Sequence, residues 1–183
     1  MSDLYSIIEQ WVGGYCAGTT MPESFRKEAT FWFDKVFALC KNNSYSKIIK
    51  SNNTIYRVQS LSTDENCIMK YDNLYYSFSN DIDGLIQVAR KDKFLQNDLI
   101  IIEYKPLNPI NLNNLLDNMY VGYKSIYTSE NEILSKLSKS NVMSIYYLKE
   151  GKDICNYKKK GIKINIEDTN LSYKNFIKKY NIE

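Results

Sequence analysis

Apolar residues recur at helical spacing over the first forty positions and then give way to short β-branched and aromatic runs. Leu4, Ile7, Ile8, Trp11 and Val12 lie three or four apart and are followed by Gly13-Gly14, which predicts a first helix of about three turns. Pro22-Glu23 has the character of a helix start, and Phe25, Ala29, Phe31, Trp32, Val36, Phe37 and Leu39 predict a second helix with a broad core-facing stripe to about Cys40. Asn42-Asn43-Ser44 and Ser51-Asn52-Asn53 bracket a short piece holding Ile48 and Ile49. The chain changes there from helical to strand character.

Beyond it, 54–59 and 74–79 read as strands, 82–91 as a helix capped by Asn80 or Asp81, and 99–104 as a buried strand closed by Pro106 and Pro109. A short helix is expected over 111–119, an exposed loop over 121–129, strands from Glu132, over 142–148 and over 161–166, and a terminal helix over 173–180. The expectation is one α+β domain, with a helical lobe over 1–50 and a sheet-based core over 54–183.

A length of 183 residues suffices for one core without disulfide or metal staples. The net charge of +3 implies no strong field toward nucleic acid or membrane. The count of histidine is 0, which excludes Ser-His-Asp and Cys-His catalysis and His-ligated metals for the chain acting alone. Chemistry then falls to carboxylates, Arg, Lys, Ser, Tyr or Cys. Cys16, Cys40, Cys67 and Cys155 form no C-x-x-C pair, and the first residues lack a basic region leading into an apolar stretch. A cytoplasmic protein with reduced thiols and no bound metal is expected.

Tyr127-Thr128-Ser129-Glu130-Asn131-Glu132-Ile133-Leu134 pairs two carboxylates and then turns apolar. If extended, it would project Glu130 and Glu132 from one face, because strand side chains alternate. Upstream lie an arginine after an aromatic residue, Tyr56-Arg57, and a strand end before a helix, Ser77-Phe78-Ser79. In that order the three motifs resemble the mono-ADP-ribosyltransferases of the Arg-Ser-Glu, cholera-toxin-like class. Those enzymes carry an aromatic-Arg strand, a Ser-Thr-Ser motif and a Glu-x-Glu motif on a split β-sandwich around NAD. The resemblance covers about residues 54–150. Phe78 departs from the usual Thr, which implies a site held by packing in place of a hydroxyl. The missing histidine sets the chain apart from the His-Tyr-Glu branch.

The resemblance implies a mixed split β-sandwich and NAD as substrate. Departure of nicotinamide leaves a ribose of oxocarbenium character, which a fixed carboxylate stabilises. That role falls to Glu132, with Ser77 holding it, Ser79 as a weaker second member and Arg57 as a fork for the pyrophosphate. Glu130 faces the acceptor and, in this family, accompanies arginine as the acceptor. Arg90 and Phe94 lie where the family often places a phosphate contact and a nicotinamide-stacking aromatic, and Tyr123 and Tyr127 would present the target. Each has a plain alternative: an ion pair for Arg57, a strand-end turn for Ser77, a favourable helix end for Arg90, packing for Phe94, and ordinary loop or core tyrosines for the other two.

The expected activity is transfer of ADP-ribose to an arginine of a target protein. Nucleic acid as acceptor is motivated by Lys158-Lys159-Lys160 and Lys178-Lys179, water as acceptor would make an NAD glycohydrolase, and a non-enzymatic binding or inhibitor protein is the third reading. A toxin with a neutralising antitoxin or immunity partner, a delivered effector and a phage protein acting on its host all fit.

Overall fold

The computed structural model describes residues 3–14, 21–42, 45–61, 66–91, 94–119 and 131–182. Among them the elements are α1 (Leu4–Glu9), α2 (Glu23–Lys41), β1 (Ile55–Ser60), β2 (Tyr75–Ser79), α3 (Ile82–Lys91), β3 (Leu99–Tyr104) and β4 (Ile110–Asn111). The chain continues through α4 (Leu112–Asn118), β5 (Glu132–Lys136), β6 (Val142–Leu148), α5 (Tyr157–Lys160), β7 (Ile162–Ile164) and α6 (Tyr173–Tyr180). The fold is α+β.

The strands form one open sheet in the order β4-β5-β2-β1-β3-β6-β7. Every ladder is antiparallel, where a mixed sandwich was expected. Among the described residues β1 and β2 meet only at Tyr56 opposite Ser79, whereas β1 and β3 pair along their full length from Ile55–Tyr104 to Ser60–Leu99. The sheet is therefore almost parted between β1 and β2.

Side-chain alternation gives the sheet two buried faces. One carries Ile55, Phe78, Ile100, Ile102, Tyr104 and Ile133 beneath Phe176 of α6. The other is divided. Tyr75, Ile110 and Leu134 pack against α1, α2 and α4, and Val58, Leu99 and Ile101 pack against Leu85 and Ala89 of α3. The N-terminal helices thus share their core with β2 and β5.

Two helices differ from expectation. The buried set on α2 is Phe25, Ala29, Phe33, Val36 and Cys40, a narrow stripe at the 3.6-residue period, and Phe31 (45% exposed) and Leu39 (67%) lie outside it. Adjacent aromatics cannot all face one side, so the broad stripe was out of phase with the helix. The first helix ends its α-helical part at Glu9 and widens into a π-helical turn over Gln10–Gly14, which carries Trp11. The strand expected over 161–166 is shorter, because a 3₁₀ turn, Ile166–Asn170, begins inside it. Among the described residues no helix is long and apolar enough to cross a membrane.

Candidate functional site

At one end of the sheet, directly opposed residues form a straight row across five strands. Glu132 of β5 lies opposite Ser79 of β2, Ser79 opposite Tyr56 of β1, Tyr56 opposite Glu103 of β3, and Glu103 opposite Ser144 of β6. Opposed residues project from the same face, so these polar groups share one side of the sheet.

Ser77 belongs to the same side as Ser79, two residues along β2, and its hydroxyl donates to Glu132 Oε1 at 2.5 Å. The indole Nε1–H of Trp11 donates to the same oxygen at 3.2 Å. Trp11 is buried, with its ring edge-on to Phe33 at 5.2 Å. A helical turn from the far N-terminus thus supplies a fixed donor to the acid that opens β5.

Arg57 reaches across the parting between β1 and β2, and its Nη1 donates to the Ser77 backbone carbonyl at 2.8 Å. Where the two strands separate, that carbonyl takes a side-chain donor in place of a ladder bond. Arg57 also lies 5.1 Å from the centre of the Tyr76 ring, and Arg26 of α2 lies 4.6 Å from it. Asp72 holds this cluster, accepting from the Tyr76 hydroxyl at 2.8 Å and pairing with Arg26 at 3.2 Å. Burial and the bond to Asp72 push the Tyr76 phenol up to about 12. Burial lowers the pKa of the Arg57 guanidinium, with Tyr76 and Glu132 opposing and Arg26 adding to the effect, and the group remains a cation. Arg57 Nε is buried without an acceptor among the described residues.

The turn into Glu132 is fixed by side chains. Asn131 adopts a left-handed conformation (φ 46°), which Asn tolerates, and its amide donates to Asp81 Oδ2 at 2.8 Å. Asp81 also accepts from the Gly84 backbone N–H at 2.8 Å, capping the first turn of α3. Asn52 closes the neighbouring corner through two bonds to Asn80, at 2.8 and 2.7 Å. Strand alternation therefore does not run through Asn131, and the same-face argument for Glu130 and Glu132 loses its premise. β5 starts at Glu132.

Phe78 points to the opposite side of β2 from Ser77 and Ser79 and stacks on Tyr104 at 5.0 Å. Ser79 is buried within the polar row. Arg90 is exposed in the last turn of α3, about 12 Å of helix beyond Ile82. Phe94 opens a 3₁₀ turn, Phe94–Gln96, and its side chain lies outside the described residues, as do Glu130, Tyr123 and Tyr127. The site therefore joins Ser77, Ser79 and Glu132 on one face, and Arg57, which the register places on the other face beside Tyr76, reaches them through the Ser77 backbone carbonyl.

Sequence reasoning missed Trp11, which helical spacing assigned to the core; the one signal was that a buried indole N–H needs an acceptor. It also missed Glu103, the lone charge in an otherwise apolar strand, which required a partner once buried. That carboxylate accepts from the Tyr157 hydroxyl and pairs with Lys158, both at 2.6 Å. Burial raises its pKa, but the bonds from Lys158 and Tyr157 outweigh this and leave it below the ordinary value. Among the described residues no group of three or more Cys, Asp and Glu is placed to hold a metal ion. No protein-family model matches the chain, and neither does any curated protein.

Proposed function

We propose that this protein is an NAD-dependent mono-ADP-ribosyltransferase that breaks the bond between nicotinamide and ribose and transfers ADP-ribose to an arginine side chain of a target protein. The contact of Ser77 with Glu132, with Arg57 seated on the Ser77 carbonyl, carries this reading. It supports a single site built from the three separate motifs that resemble the Arg-Ser-Glu class.

The C1'–N1 bond of NAD breaks with its electron pair leaving on neutral nicotinamide, so positive charge develops on the ribose. Glu132 is anchored by two donors on one oxygen, which suits a carboxylate that must stabilise that charge through the ribose 2'-hydroxyl without first reorganising. Arg57 carries an unsatisfied N–H and a permanent charge, both of which favour a pyrophosphate oxygen. A guanidinium nitrogen of the acceptor then bonds to C1' and releases a proton. Glu130 is the carboxylate assigned to take it. Water in place of the guanidinium yields free ADP-ribose.

The test is incubation of wild type and Glu132→Gln with labelled NAD and a cell lysate, with products resolved by mass spectrometry. Wild type labels protein on arginine, and the variant unfolds at the same denaturant midpoint but transfers nothing. Undiminished transfer by Glu132→Gln overturns the reading.

A further inference from the structure

A second site lies at the middle of the polar row, at Tyr56. Tyr56, Ile82, Asn156, Tyr157, Lys158 and Lys159 line an open pocket of about 310 Å³ between β1, the start of α3 and α5. We propose that this pocket binds a nucleoside monophosphate unit, with the base against the half-buried Tyr56 ring and the phosphate at Lys159.

The volume is at the lower end of the ~300–1,000 Å³ of small-molecule sites, which suits one nucleotide and is too small for a whole dinucleotide. A tyrosine face stacks nucleobases without regard to sequence, and the half-buried Tyr56 ring offers one, while buried Tyr157 forms the floor. The Asn156 amide offers both a donor and an acceptor to a base edge. The walls are held from below. Buried Glu103 accepts from the Tyr157 hydroxyl and from Lys158, both at 2.6 Å, and the edge of Tyr146 meets the Tyr157 ring at 5.1 Å. Gly161 pins the end of α5, since a Cβ there would come within 2.5 Å of the Tyr157 carbonyl oxygen. Lys158 neutralises Glu103, so exposed Lys159 is the charge left for a phosphate.

Glu103, Tyr56, Ser79 and Glu132 occupy consecutive strands in register. Tyr56, which lines the pocket, is thus two strand spacings, about 10 Å, from Glu132, and Glu103 behind the pocket is three, about 14 Å. If the ADP-ribosyltransferase reading is right, on which this step rests, the pocket takes the adenosine phosphate half of NAD while the nicotinamide ribose sits at Glu132. A free nucleotide is the other source of the same chemistry.

Calorimetry of the full chain with AMP, nicotinamide mononucleotide and NAD, for wild type, Lys159→Glu and Asn156→Ala, tests this. AMP should bind wild type. Lys159→Glu should weaken AMP about ten-fold, a 1.4 kcal/mol effect, leave nicotinamide mononucleotide unchanged, and raise KM for NAD with kcat preserved. AMP binding lost in Lys159→Glu, in a protein that never turns over NAD, keeps the pocket and removes the transferase reading. AMP binding lost in that variant with KM for NAD unmoved identifies a free nucleotide as the ligand. Normal NAD turnover with no AMP binding, or AMP affinity equal in all three proteins, overturns the pocket assignment and leaves the transferase reading standing.

Discussion

Ser77 and Glu132 meet on the diagonal of an antiparallel ladder: Ser77 lies opposite Leu134 and Glu132 opposite Ser79, yet the Ser77 hydroxyl reaches Glu132 Oε1. Diagonal neighbours lie about 7–8 Å apart at the backbone, so only a long side chain leaning along the sheet closes the gap. Glutamate has that reach. Ser79, though directly opposite, holds its place in the row while Ser77 supplies the donor.

Ser77→Ala should therefore impair chemistry. A hydrogen bond to a charged group contributes about 1.5–3 kcal/mol, or roughly 10- to 150-fold in rate if it is fully expressed in the transition state. NAD turnover should fall by that factor, the denaturant midpoint should drop by no more than the same ~1.5–3 kcal/mol of stability, and Ser77→Thr should restore part of both. Turnover in Ser77→Ala equal to wild type would remove Ser77 from the site.

Trp11 separates packing from hydrogen bonding. Trp11→Phe keeps an aromatic ring against Phe33 but removes the Nε1–H that meets Glu132. It should cost about 1–3 kcal/mol at most in stability and lower NAD turnover several-fold. Trp11→Ala should cost about 3–5 kcal/mol through the cavity it leaves. Chemical denaturation and steady-state rates on both variants check the split. Equal rates for wild type and Trp11→Phe would reduce Trp11 to a core residue.

Glu103 makes stability depend on acid pH. Its folded pKa lies below the ordinary 4.5, so its contribution is present above pH 4.5 and is lost as pH falls through the depressed value. Lys158→Met removes the cation and leaves a buried carboxylate without its ion partner. The variant should be less stable than wild type at pH 7, and the gap should be smaller at pH 3, where Glu103 is more protonated. Urea midpoints at both pH values measure this. A gap independent of pH would show that Lys158 acts through packing alone.

Tyrosine sets the alkaline limit. Burial pushes the Tyr104 phenol up to about 12 against the opposing bond from the Ser138 backbone. A raised folded pKa gives stability that is complete below the ordinary pKa of 10 and is lost as pH rises through about 12. At ~1.4 kcal/mol per unit, Tyr104 accounts for roughly 2–3 kcal/mol over that window. Tyr104→Phe should flatten the decline above pH 10. It should also cost about 1–3 kcal/mol at neutral pH, because the Lys136 carbonyl and the Ser138 N–H both lose the hydroxyl they share at 2.6 and 2.8 Å. Melting curves from pH 8 to 11 for the two proteins test both halves.

The sequence by itself determined most of the elements. Strand 142–148 and helices 82–91 and 173–180 have the boundaries predicted from local pattern, because burial on one face imposes a repeat of 2 or 3.6, and strand 99–104, buried on both faces, has those of its short apolar run. Its order of Arg57, Ser77 and Glu132 likewise named the candidate site. Only the tertiary structure decided which of those residues touch. Register across β1, β2 and β5 is a relation between distant segments that no local pattern encodes, and it aligned Glu103, Tyr56, Ser79 and Glu132 in one row. The same long-range packing brought Trp11 to Glu132 and parted β1 from β2, leaving the Ser77 carbonyl for Arg57. The condition placed on the acidic stretch, that it be extended, stops at Asn131, which turns left-handed, a choice stabilised by Asp81 at the start of α3, while Glu130 lies outside the described residues.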